Sequence, residues 1–389
     1  TNGADLYAIE TVKPLATITV PSIAKAKKPE RYQTEYKALK TEEYAGLHHL
    51  STGWWLPNIA VDENRSEYGL SIAGSDPLNY HFYSLYAAYD VKNDWFLGTA
   101  RYFNDYYPIA YSLFYSRSYD IFGGTADRFV KETLLGFDLI LPFRKLDREW
   151  EVRFGVSGEY DEEIGAGSLG QEFKDQVMGV ALRYSSAEFY PLAISPANGS
   201  WFEIVYESSD LLNSDYQGSV IKLDARHYVQ VYDEHTLAGR LALGYGPDSA
   251  RRFSLGGYSM NTPNLYANGT IFNLRDYPLR GYPENYVNLF GHNFALASAE
   301  WRFPLLKIER GLMPIPAGLG RFHAALIVDT GSVWDQDESP DKLYTGVGVE
   351  LNGDLILGYT GVFPFRIGYA SGLDEGGKDQ YYLTFGSRF

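Results

Sequence analysis

Leu279-Arg280-Gly281-Tyr282-Pro283, followed by Asn293-Phe-Ala-Leu-Ala-Ser-Ala-Glu-Trp-Arg-Phe-Pro-Leu305 and Phe322-His-Ala-Ala-Leu-Ile-Val-Asp-Thr-Gly-Ser-Val-Trp334, decide how the whole chain reads. The second and third stretches alternate as strands do. In 291–303 one face carries Ala295, Ala297, Ala299, Trp301 and Phe303, so Glu300 falls on the other with Ser298 and Arg302. In 322–334, Asp329 shares a face with Ile327, Gly331 and Val333, opposite Phe322, Leu326, Val328 and Trp334. Each strand thus holds an acid amid apolar neighbours, and the stretch before them holds an arginine on a glycine turn. Buried charges of opposite sign usually exist to meet each other.

Outward from this region the same period-two rhythm recurs. In 219–232, Ile221, Leu223, Ala225, Val229 and Val231 alternate with Lys222, Asp224, Arg226 and Gln230. In 150–159, Trp150, Val152, Phe154 and Val156 alternate with Glu151, Arg153, Ser157 and Glu159. A helix would scatter these charges, whereas a strand sends them to one face. The apolar face then meets lipid and the charged face a lumen. Sixteen such segments are expected: 50–59, 65–74, 80–90, 94–104, 108–118, 130–141, 149–160, 174–185, 199–209, 217–232, 235–246, 291–303, 320–334, 342–353, 362–371 and 380–389. An even number puts both termini on one side. Odd-to-even connections are the long ones (119–129, 161–173, 247–290), and most even-to-odd ones are tight, as at Asp233-Glu234; 186–198 is the exception. Long loops outside and short turns in the periplasm are the usual asymmetry of an outer-membrane barrel, so both termini are expected to be periplasmic.

Composition agrees. Aromatics reach 16%, with 33 Tyr, 22 Phe and 7 Trp, enough for girdles at both bilayer interfaces. The chain holds no run of about 18 apolar residues, so spanning by helices is excluded, and a closed barrel is the remaining option because lipid cannot satisfy an open sheet edge. There is no cysteine, hence no disulfide or thiol chemistry. A net charge of −15 argues against a nucleic-acid partner. The fold expected is all-β: a 16-stranded antiparallel transmembrane barrel over 46–389 with an inward-folded long extracellular loop. Residues 1–45, with Ala-Lys-Ala-Lys-Lys-Pro at 24–29, are expected to be a periplasmic tail or the remnant of an upstream domain. The start at Thr1, without a leader, is expected of processed protein.

Leu279–Pro283, Ser254-Leu-Gly-Gly257, Ala299-Glu300-Trp-Arg-Phe-Pro304, Val328-Asp329-Thr-Gly331 and a terminal Phe389 together resemble the outer-membrane barrel superfamily of BamA, TamA and the two-partner secretion transporters, the bacterial surface antigen family. The resemblance covers roughly 195–389. It implies that the loop 247–290 folds into the lumen as a lid, that Arg280 touches Glu300 and Asp329, and that Phe385 and Phe389 belong to the terminal signal read by the assembly machinery. It also implies membrane insertion or passage of polypeptides, with outer-membrane lipid and lipopolysaccharide around the barrel and a polypeptide client or other outer-membrane or periplasmic proteins as partners. The family's POTRA domains cannot fit in 1–45. A weak seam is expected between the first and last strands, because Pro57 lacks a ladder N–H and Gly386 and Ser387 offer little packing.

Other readings stay open. The barrel could be the anchor or pore subunit of a larger complex, or a passive diffusion pore, although a folded-in lid would occlude the latter. A barrel enzyme needs a His aimed at a Ser or an acid, and spacing pairs none of His48, His49, His81, His227, His235, His292 and His323. No catalysis, cofactor or metal is therefore expected. The acidic loop Asp335–Asp341 lacks the glycine and terminal glutamate of a calcium loop and reads as solvated.

Overall fold

A computed structural model describes residues 44–61, 66–121, 129–164, 170–188, 195–258, 270–283, 286–311, 317–357 and 361–385. The expected tail 1–45 lies almost wholly outside the described residues, as do Gly386, Ser387 and Phe389.

Eleven strands run in order from the described N-terminal side: β1 (Ser51–Val61), β2 (Ser66–Ser75), β3 (His81–Asp90), β4 (Trp95–Asn104), β5 (Ala110–Ile121), β6 (Phe129–Arg144), β7 (Glu149–Ile164), β8 (Glu172–Ser185), β9 (Gly199–Ser208), β10 (Ser219–Tyr232) and β11 (His235–Tyr245). The lid follows, with three short strands β12 (Phe253–Leu255), β13 (Asp276–Tyr277) and β14 (Phe290–Gly291). Five strands complete the wall: β15 (Asn293–Gly311), β16 (Ala317–Trp334), β17 (Tyr344–Leu357), β18 (Gly361–Gly372) and β19 (Asp379–Phe385). The wall is one 16-stranded sheet in the order β1 to β11 then β15 to β19, each strand antiparallel to the next. This is the 16-stranded antiparallel barrel architecture. Among the described residues no ladder joins β1 to β19. Pro57 stands opposite Leu70 of β2, and Phe385 opposite Phe365 of β18.

The pleat sorts side chains as alternation demands. Along β10, Lys222 and Asp224 are buried while Ile221, Val229 and Val231 are exposed; along β7, Phe154 and Val156 are exposed and Ser157 and Glu159 buried. The exposed row is the surface a bilayer covers. Several strands run past their expected bounds: β6 ends at Arg144 rather than 141, β7 at Ile164 rather than 160 and β17 at Leu357 rather than 353. β15 continues past 303 to Gly311 and β16 begins at Ala317, before 320. Pro304 does not stop β15, because register shifts between Pro304 and Leu306 and between Lys307 and Arg310 take up the missing donor and let pairing resume.

The lid strands are the other departure. β12 pairs parallel to β13 and antiparallel to β14, making a small sheet beside the wall. Two or three residues carry no detectable period, so this sheet has no sequence signature. Apolar side chains of the lid close a core: Phe253, Leu255, Tyr277, Leu279, Tyr282 and Leu289 bury against Val220, Ala242, Phe294, Leu296 and Tyr344 of the wall. Parity puts Phe294 and Leu296 on the lumen face, where a wet lumen would want polar groups. The lid is what covers them.

Candidate functional site: the lid and the acids that hold it

The lid carries Arg280 between β13 and β14, within a bend made by Gly281. Gly281 has φ +93°, and a Cβ there would stand 2.4 Å from the backbone nitrogen of Gly372; only glycine fits that approach. Four hydrogen bonds to backbone groups of Gly281 and Tyr282 fix the bend. Gly257 N–H donates to the Tyr282 carbonyl at 2.8 Å, and Lys378 N–H to the Gly281 carbonyl at 2.8 Å. Gly281 N–H donates to Gln380 Oε1 at 2.9 Å, while Gln380 Nε2 donates to the Tyr282 carbonyl at 2.8 Å. Tyr282 is fully buried, and its hydroxyl donates to the Thr345 carbonyl at 3.1 Å. Leu279 is fully buried beside it, and Pro283 leads out of the bend.

From this bend the Arg280 guanidinium reaches three carboxylates on three consecutive strands. Nε and Nη2 donate to the two oxygens of Asp329 on β16 at 2.6 and 2.7 Å, a fork-to-carboxylate pair. The Arg280 backbone N–H adds a third bond to Asp329 at 3.2 Å. Nη2 also lies 2.8 Å from Glu300 Oε1 on β15, and Nη1 donates to Glu350 Oε1 on β17 at 3.3 Å. Burial alone would push the guanidinium down; Asp329, Glu300 and Glu350 outweigh it and hold Arg280 well above its ordinary value. The structure therefore brings Arg280, Glu300 and Asp329 together and adds Glu350, which the sequence reading omitted. Glu350 is fully buried, accepts a bond from Tyr382 of β19, and has Arg366 at 3.8 Å. Its signal was present: Glu350 stands alone among Val347, Val349 and Leu351 at lumen-facing parity. Glu300 keeps a second cation, Arg302, at 2.7 Å.

A second set of lid contacts lies on β6 to β10. Arg275 and Lys222 flank Glu207, and all three are buried. Spacing had left the histidines unpaired, and the fold corrects that. His292, the residue before β15, has Nδ1 2.8 Å from Asp335 and 3.4 Å from Asp248, which ties both ends of the lid to the rim of β16. Asp335 also holds Arg252 at 3.3 Å. Ser200 Oγ and His227 Nδ1 stand 2.8 Å apart as cross-strand neighbours.

A family model described as the Omp85 superfamily domain matches residues 101–389, well over half of the chain. The chain belongs to the Omp85 superfamily. Solved structures of similar fold agree with the Omp85 assignment. BamA from Haemophilus ducreyi lacking POTRA domains 1-3 aligns with a TM-score of 0.55 at 13% identity, covering 87% of this chain and 69% of that one. CdiB from Escherichia coli aligns at 0.55 and 14%, covering 89% and 62%, and CdiB from Acinetobacter baumannii at 0.50 and 14%, covering 87% and 59%. The chain thus spans about three-fifths of the length of the CdiB structures, and at these identities the likeness is one of fold. A comparison with curated proteins returns no match. As an Omp85 barrel the chain is an outer-membrane protein of the insertion and translocation kind.

Proposed function

We propose that this Omp85 barrel passes or inserts polypeptides through a lumen closed at rest by its own lid, with Arg280 as the lock. The observation that carries the reading is the buried guanidinium shared by Asp329, Glu300 and Glu350. Arginine suits such a post because its planar fork serves more than one carboxylate, whereas lysine offers one point charge. A lid held by a cluster of ion pairs is also reversible: each carboxylate except Asp329 keeps another cation or donor when Arg280 leaves. Asp329 bears the cost of opening, and because Glu300 and Glu350 stay partnered the lid can return. Loop asymmetry orients the barrel, with the lid end outside and the termini in the periplasm. The client is a polypeptide, and surrounding partners are outer-membrane lipid and lipopolysaccharide. The test is a planar bilayer holding Arg280→Ala protein. Unfolded polypeptide added on the periplasmic side should produce transient blockades of the enlarged current. Ion flow that an added polypeptide never interrupts would make the barrel a passive pore and defeat the proposal.

A further inference from the structure

The lid segment Thr270–Arg275 lies against β6 to β10, a stretch of wall that Arg280 does not touch. Thr270 Oγ1 donates to Asp138 of β6 at 3.1 Å. The Phe272 ring is buried at 1% exposure with Val177, Ala181 and Val205, where β7 and β8 present Gly155 and Gly179. A Cβ at Gly155 would stand 2.3 Å from that ring and one at Gly179 2.7 Å, so the two glycines form a slot for an aromatic ring. Asn273 N–H donates to Glu207 Oε2 of β9 at 3.0 Å, and its amide donates to Glu159 of β7 at 3.2 Å. Lys222 of β10 donates to the carbonyls of Ile271 at 3.2 Å and Leu274 at 3.4 Å. Arg275 pairs with Glu207.

Two features separate this wall from ordinary loop packing. Lys222 and Glu207 address main-chain groups, two carbonyls and one N–H, which every polypeptide has; the glycine slot and the Glu207 carboxylate then select an aromatic ring and, three residues on, a cation. Lys222 also pairs with Glu207 at 3.0 Å. The two charges therefore satisfy each other when the segment departs, so vacating the wall strands neither one.

We propose that this wall is a receptor for a polypeptide segment that bends as Thr270–Arg275 does, through a turn at Phe272-Asn273 with Asn273 at φ +64°, and that bears an aromatic residue followed three positions later by arginine; Thr270–Arg275 occupies it in cis. The proposal rests on the polypeptide-handling reading and places a client contact on β6 to β10. A tethered segment competes at an effective concentration of about millimolar, so the probe must meet a wall freed of it. The test uses the full chain carrying Phe272→Ala and Arg275→Ala together, which leaves the Arg280 cluster intact. The probe is a fluorescein-labelled capped peptide Thr-Ile-Phe-Asn-Leu-Arg, read by anisotropy. It should bind the double variant on the order of tenfold tighter than the parent protein, and adding Glu207→Gln should remove that gain. Protease sensitivity of the lid reports whether Thr270–Arg275 has been released. The proposal is overturned if a scrambled peptide binds equally, if the released variant binds no peptide, or if this segment stays protected without Phe272 and Arg275. Peptide binding without current blockades in the bilayer test would keep the receptor and remove the translocation reading.

Discussion

Replacing Arg280 with alanine removes the cation from three carboxylates at once, and the fold says how unequal the consequences are. Breaking a buried ion pair costs about 3–5 kcal/mol because the other charge is stranded. Glu300 keeps Arg302, and Glu350 keeps Tyr382 and Arg366, so neither is stranded. Asp329 is fully buried, and among the described residues its side-chain ion pair is with Arg280 alone. The low end, about 3 kcal/mol, is therefore the expected loss, and at roughly 1.4 kcal/mol per factor of ten that is about a hundredfold in local opening. Opening stays local because the apolar core of Phe253, Leu255, Tyr277 and Leu289 remains, each such side chain contributing about 1.5–3 kcal/mol. Amide hydrogen exchange reads the change directly. The N–H groups of Gly281, bonded to Gln380, and Lys378, bonded to Gly281, should exchange about a hundredfold faster in Arg280→Ala. Strand amides far from the lid should not change. Single-channel conductance should rise, and Arg280→Lys should restore only part of the protection. Unchanged exchange at both amides, with parental conductance, would refute the lock.

Glu350→Gln should loosen the same amides less than Asp329→Asn does, since Arg280 meets Glu350 at 3.3 Å but Asp329 through bonds of 2.6 and 2.7 Å; the reverse order in exchange rates would displace Asp329 as the main partner. Gly281→Ala forces a side chain into φ +93° against Gly372, and a cost of order 1–3 kcal/mol should appear as faster exchange without any change of charge. At the lid base, burial pushes the Asp335 carboxyl up, but the His292 backbone and ring N–H and the charge of Arg252 outweigh it and hold it below 3.8. Its contribution is therefore full above pH 3.8 and is lost as pH falls through the lower folded value, so pepsin should cut the lid faster at that point in the parent than it does above it. An Asp335→Asn protein that keeps the same pH step would assign it elsewhere. The chain has no cysteine, so cysteine pairs placed across β1 and β19 report on the seam alone. Partial crosslinking that blocks polypeptide blockades is expected, and complete crosslinking with blockades intact would exclude opening there.

Alternation alone determined the wall. A period of two needs only neighbouring residues, so lumen and lipid faces, the lumen parity of Glu300 and Asp329, and sixteen strands were legible along the chain. Parity also turns Glu350 inward, yet whether it meets Arg280 depends on ladder register. Asp329 stands opposite Gly346, four residues from Glu350, and that offset between strands is written in no single strand. The lid was legible as a loop with an arginine turn, but its short strands are below any periodicity, and Phe294 and Leu296 make sense only once Phe253 and Tyr277 cover them. The slot for Phe272 lies furthest from sequence. Gly155 and Gly179 are unremarkable in β7 and β8, more than ninety residues upstream, and only the folding of the lid across the lumen sets an aromatic ring against both. Faces follow from local sterics, whereas pairings between distant side chains require the strand register and lid placement that tertiary structure supplies.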